Sequence, residues 1–265
     1  MSSVSLSRVR AILLQEAYIT RRSGEVLIDL PFFSLTSVIV FGFISSFLSS
    51  AVGSTVGRYL FLGMLLWEIV RVAQYSMSIE ALWNVWSHNL SNMFITPLSI
   101  AEYVLAQMIS ATIKALLIFG VLSVIAATLF SFNVYSLGLG NLCLFFVNLL
   151  FFAWSVGLAV LGIIFRFGTR IQALAWGLVY LFPPLTAAYY PLSVLPPPLQ
   201  AIGRLIPPTY VFEAARASLQ QPSTNWPAIG MALGENAIYF GLAVLFFSFM
   251  YRRSRQTGQF ARNEE

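Results

Sequence analysis

Long runs of hydrophobic positions dominate the chain, and their lengths predict its elements. A helix that crosses the roughly 30 Å hydrocarbon core of a bilayer needs about 20 mainly apolar residues. Six runs meet that requirement, over 26–48, 59–77, 103–130, 139–165, 171–190 and 228–251. A seventh, 192–206, is interrupted by Pro196, Pro197 and Pro198 and followed by Pro207 and Pro208. Proline removes a backbone donor and breaks a helix interior, and lipid offers no substitute partner for the freed groups. The segment 189–226 is therefore expected to be re-entrant or interfacial. The fold class that follows is an all-α integral membrane protein with six transmembrane helices in a single domain, 1–265.

Two polar stretches interrupt this pattern. In 6–22, Leu6, Val9, Leu13 and Ala17 share one helical stripe while Arg8, Gln15 and Arg22 lie near the opposite face; Arg10 and Glu16 blur the division. The spacing predicts a helix within 1–25 that lies in the membrane interface, its Arg side chains reaching the headgroups. The stretch 80–100 is too polar to span. Glu80, Asn84, His88 and Asn92 recur at four-residue intervals and predict one polar helical face. Trp83 and Trp86 would anchor that helix at the interface, and Thr96 with Pro97 would end it.

Composition sharpens the class. Only 9% of the 265 residues are charged and 58% are hydrophobic, against roughly 25% charged in a soluble domain. Phe, Tyr and Trp number 23, 11 and 6, which suits lipid-facing surface and interfacial belts. The net charge of +5 comes from Arg, with Lys114 the one Lys, and its distribution does not suggest nucleic-acid binding. Arg8, Arg10, Arg21 and Arg22 precede the first predicted span, Arg166 and Arg170 separate the fourth from the fifth, and Arg252, Arg253, Arg255 and Arg262 follow the sixth. Arg58, Arg204 and Arg216 fall in the alternate loops. The excess of Arg in cytoplasmic loops predicts that both termini and 80–100 lie in the cytoplasm.

Candidate chemistry is sparse. Charges within spans are costly and mark functional positions by default. Glu68 and Arg71, three residues apart, can pair on one helix face. Lys114 lies at similar depth in the third span, where it could neutralise them or contact cargo, and Glu235 lies in the outer half of the sixth. No catalytic constellation is found: there is no H-E-x-x-H, no G-x-S-x-G and no G-x-x-x-x-G-K followed by Ser or Thr to cradle phosphates. His88 is the one His and Cys143 the one Cys, so neither a metal site nor an internal disulfide is expected. If ATP drives this protein, another chain must bind it.

The order of these features resembles the ABC-2 type permease family, the membrane subunits of bacterial exporters. The resemblance covers most of the chain. It rests on the segment ending at Arg22, on NLSNMFITPLSIAEY over 89–103, and on YYPLSVLPPPLQAIGRLIPPTYVFEAAR over 189–216. In the last, Pro207, Pro208, Glu213 and Arg216 match the family's extracytoplasmic signature and are expected at an outer gate. The resemblance implies that 78–92 is a coupling helix docking on an ATPase subunit, with Glu80, Trp83, Asn84, Trp86, His88 and Asn92 at the contact. It further implies a bacterial plasma (inner) membrane location, a dimer of permease subunits around the cargo path, and two ATP-binding cassette subunits that hold ATP and Mg, with no cofactor on this chain. The expected cargo is hydrophobic or amphipathic: a drug, a lipid or a lipid-linked glycan. An ATP-independent secondary transporter or channel using the membrane charges, and a non-transporting scaffold, are the alternatives that the residues themselves leave open.

Overall fold

A computed structural model describes residues 4–22, 24–221 and 223–257; Arg262 of the terminal Arg cluster lies outside them. The helices are α1 (Leu6–Arg22), α2 (Gly24–Ala51), α3 (Ser54–Trp86), α4 (Leu90–Ile95), α5 (Ile100–Phe130), α6 (Leu139–Phe167), α7 (Gln172–Gly177), α8 (Pro197–Gly203), α9 (Pro207–Gln220) and α10 (Trp226–Gln256). Short 3-10 turns occur at Val134–Leu137, Gly168–Ile171, Leu178–Leu181 and Leu192–Val194, and no strand is present among the described residues.

Among the described residues four helical runs are long and apolar enough to cross a membrane: Ile28–Ala51, Ile100–Phe130, Leu139–Leu181 and Trp226–Gln256. The other two expected spans behave differently, each for a physical reason. The run 59–77 lies within α3, a helix of 33 residues that also carries Arg58, Glu68, Arg71 and Glu80. Its charges dilute its hydropathy, yet α3 is the centre of the bundle, with α2, α5 and α6 packed around it. Leu65, Leu66, Val70, Val72, Ala73, Met77, Ala81 and Leu82 along it are fully covered. The surrounding helices give its polar groups protein partners in place of solvent, which is how intramembrane charges are tolerated.

The run 171–190 is not one helix. Gly168, at φ 61°, adopts a left-handed conformation that glycine accepts without a Cβ clash and separates it from α6. The helical path ends at Leu181, before Pro183 and Pro184. The run lies alongside α3 on both sides of that break: in its helical part the Ala175 carbonyl accepts from Gln74 at 3.2 Å. A Cβ built on Gly63 would lie 1.8 Å from the Ala188 carbonyl oxygen. Eleven positions separate Gln74 from Gly63, about 16 Å at the helical rise, so the broken run travels along α3 for much of its length. Gly63 permits this because only a residue without a side chain lets another backbone come so close.

Helix alternation defines two ends. The connector end carries the residues 87–99 between α3 and α5, and the C-terminus of α10, where Ser254 donates to the Phe165 carbonyl at 2.6 Å. The opposite end carries the turns 52–53 and 131–138. There Thr224 donates to Asn141 at 2.6 Å, and Gln220 donates to the Tyr59 hydroxyl.

Candidate functional site

At the connector end the sequence's polar residues converge instead of facing outward. Residues up to Trp86 continue α3, so no separate helix spans 78–92. The expected polar face is therefore corrected: Glu80 and Asn84 are 4% and 2% exposed, turned into the bundle, whereas His88 and Asn92 are exposed. The reason lies on α5. Lys114 forms an ion pair with Glu80, and Ser110 donates to the same carboxylate at 3.0 Å. Asn84 donates to the Glu80 carbonyl at 2.9 Å and to the Tyr103 hydroxyl at 3.4 Å. The partner of Lys114 is thus Glu80, not the Glu68–Arg71 pair.

The α1 helix closes this cluster. Its buried residues are Val9, Ile12 and Glu16, whereas Leu6 is 82% exposed, so the inward stripe is displaced from the expected one and includes an acid. Gln107 of α5 donates to Glu16 at 3.5 Å. Burial, and then the negative charge of Glu80, push the Glu16 carboxyl up to about 8, with Lys114 and Gln107 opposing. At the other end of α1, Arg8 grips Glu102 through Nε and Nη2 at 2.7–3.0 Å. Glu102 also accepts from the backbone N–H of Ser5 at 2.7 Å and of Ser99 at 2.9 Å. Ser99 and Glu102 complete a capping box that starts α5. One carboxylate therefore fastens α1, the connector and α5 together. His88, at φ 52°, reverses the chain where α3 ends.

A cavity of about 360 Å³ opens beside this cluster. It is lined by Asp29 and Phe33 of α2, by Arg71, Tyr75, Trp83 and Trp86 of α3, by Lys114, and by Trp176 and Tyr180 from the α7 run. Trp83 and Trp86 meet edge to face, with ring centroids 5.3 Å apart. Trp176 and Tyr180 are about half exposed. Glu68 and Arg71 pair at 2.7 Å, and Arg71 also donates to Ser34 at 2.5 Å. The Tyr75 hydroxyl donates to Asp29.

The Pro-rich segment lies elsewhere, toward the opposite end. Pro207 and Pro208 occupy the first turn of α9, where a missing N–H loses nothing. Arg216 is buried, pairs with Glu213 at 2.7 Å and donates to the Ala188 carbonyl at 3.4 Å. Glu213 accepts from the Leu192 N–H at 2.9 Å. These contacts tie α9 to the preceding segment at Ala188 and Leu192. Glu235 joins neither group; it is half-buried on α10 and its Oε2 finds no hydrogen-bond partner among the described residues.

Sequence reasoning missed Asp29, Tyr75, Trp176 and Tyr180. The signal for Asp29 was available, since it is a charge inside a predicted span. The aromatic residues carried none, because lipid-facing rings look the same in sequence. Among the described residues no group of three or more His, Cys, Asp or Glu side chains could hold a metal ion. Comparison with protein-family models and with curated proteins finds no match to this chain.

Proposed function

We propose that this chain is the membrane-spanning subunit of an ATP-driven exporter of the ABC-2 type. In this reading α2, α3, α5, α6, the broken α7 run and α10 make six crossings, with both termini and the connector in the cytoplasm of a bacterial cell and 189–226 re-entrant from outside. The observation that carries it is the Glu102 carboxylate, which fastens the interface helix, the connector and α5 through Arg8, Ser5 and Ser99. A force applied to the connector by an ATPase subunit would reach α1 and α5 together. Glu16 and Glu80 would then relay it to α3 beside the cavity, where a second permease copy would complete the path. Docking falls to the exposed His88 and Asn92 and not to Glu80 and Asn84, which are committed inside. The chain contributes no ATP site of its own, so ATP and Mg belong to two partner subunits.

The test is capture in mild detergent. An ATPase carrying G-x-x-x-x-G-K should co-purify with the tagged chain and hydrolyse ATP faster when cargo is added. A second reading rests on the buried carboxylates Glu16 and Glu80, which suit proton-coupled transport. Cargo movement driven by a pH gradient in vesicles that hold this chain alone would favour it.

A further inference from the structure

Glu68 and Arg71, and Glu80 and Lys114, divide the charges around the aromatic cavity into pairs, and one charge is left over. Arg71 and Lys114 both line the cavity. Each is already matched within the chain, Arg71 by the Glu68 carboxylate and Lys114 by the Glu80 carboxylate. Asp29 has no cationic partner among the described residues; it accepts a hydrogen bond from the Tyr75 hydroxyl. The charged side chains at the cavity therefore sum to one negative charge. Around it stand Trp83, Trp86, Trp176, Tyr75 and Tyr180, whose ring faces are the negative ends of their quadrupoles.

We propose that this cavity binds a lipophilic organic cation, held between the Trp and Tyr rings with its charge toward Asp29. The proposal names the cargo class of the exporter read above and rests on that reading only for the transport step. Charge complementarity decides the sign. An anion would have to displace Glu68 or Glu80 from its cation and leave a buried carboxylate unpaired, a costly exchange. A neutral glycan needs several hydrogen-bonding groups, but the charged ones at the wall already have partners, Arg71 with Glu68 and Ser34, Lys114 with Glu80, Asp29 with Tyr75, which leaves it the indole N–H groups and the Tyr180 hydroxyl. A cation needs neither displacement nor donors, since rings and a carboxylate suffice. Trp176 and Tyr180 are half exposed, so a hydrophobic guest could enter past them from the bilayer.

Equilibrium dialysis of the purified chain in nanodiscs, with empty nanodiscs subtracted, tests the proposal. The probes are tetraphenylphosphonium, its isosteric anion tetraphenylborate, and neutral triphenylphosphine oxide. The phosphonium should bind saturably and at least about tenfold more tightly than either of the others. Asp29→Asn should weaken it by about tenfold and leave the neutral probe unchanged, the size expected of one close charge. Trp176→Ala, at a half-exposed position, should weaken the phosphonium as well. Equal binding of cation and anion, no saturable phosphonium binding, or full affinity in both variants would each overturn the proposal. Capture of an ATPase subunit is measured separately, so an exporter with a different cargo and a cation-binding protein that is no exporter give different results.

Discussion

Lys114→Met isolates the energetic centre of the connector end. The substitution keeps the aliphatic stem and removes the ammonium, leaving Glu80 at 4% exposure with the Ser110 hydroxyl as its remaining side-chain donor. Breaking a buried ion pair from one side costs about 3 to 5 kcal/mol, because the stranded charge keeps its desolvation penalty. Lys114 is 16% exposed, so part of the pair's field is already screened by its surroundings and the lower end, about 3 kcal/mol, applies. For a chain of this size about 1 kcal/mol moves the melting temperature by roughly 2–4 °C, giving a fall of roughly 6–12 °C in detergent. Adding Glu80→Gln to the same chain removes the stranded charge and should recover most of the loss. Arg58→Ala, at an exposed position on the opposite end, should stay within about 0.5 kcal/mol of wild type. Differential scanning fluorimetry of the four proteins decides the matter. Equal melting of Lys114→Met and Arg58→Ala, or a double variant no better than the single one, would refute the buried pair as a determinant of stability.

Three further outcomes follow from the same geometry. The Glu16 pKa is raised in the folded protein, from 4.5 to about 8, so its contribution to α1 docking is complete below about pH 4.5 and is lost as pH rises through about 8. The protection factors of the α1 amides, with the intrinsic pH dependence of exchange divided out, should fall over that interval, and Glu16→Gln should flatten the fall. Gly63→Val places a Cβ against the Ala188 carbonyl, whereas Gly120→Val meets open space. Only the first should lower the melting temperature and expose 182–190 to proteolysis. Finally, with Cys143 changed to Ser, a Cys at the exposed Ser87 should react only with membrane-permeant maleimide in intact cells, and one at the exposed Gln221 should react with the impermeant reagent as well. Ser218, nearby, is unsuitable for such a probe because it is 2% exposed.

The elements were more legible in the sequence than their contacts. Run length located α2, α5, α6 and α10 to within a few residues, because covering a membrane thickness leaves little freedom in length. Hydropathy underrates α3 for the same reason that makes α3 central: Glu68, Arg71 and Glu80 are covered by α2, α5 and α6, and a one-dimensional average cannot see that cover. Amphipathicity indicated a helix at 6–22, but Glu16 only blurred the division of its faces; its inward position depends on Gln107, 91 positions away. Four-residue spacing grouped Glu80 with His88, yet α3 ends between them, so one turns into the bundle and the other outward. The choice of Glu80 over Glu68 as the partner of Lys114 depends on the register of α5 against α3, which single-chain periodicity does not contain.

The central claim, that an ATPase subunit docks on the connector and drives this chain, is tested most directly by introducing charge at His88 and Asn92. Both side chains are exposed, so His88→Glu with Asn92→Glu should leave the protein inserted and its melting temperature unchanged. In a docked interface the same carboxylates would be desolvated without counter-charges. Stranding a charge in an interface costs about 2 kcal/mol or more, roughly thirtyfold or more in affinity. Quantitative capture of the ATPase subunit by wild-type and double-variant protein is the measurement. The account predicts that the variant folds normally and loses most of the ATPase; a variant that retains it in full, with hydrolysis still responsive to cargo, would contradict the docking assignment and the exporter mechanism built on it.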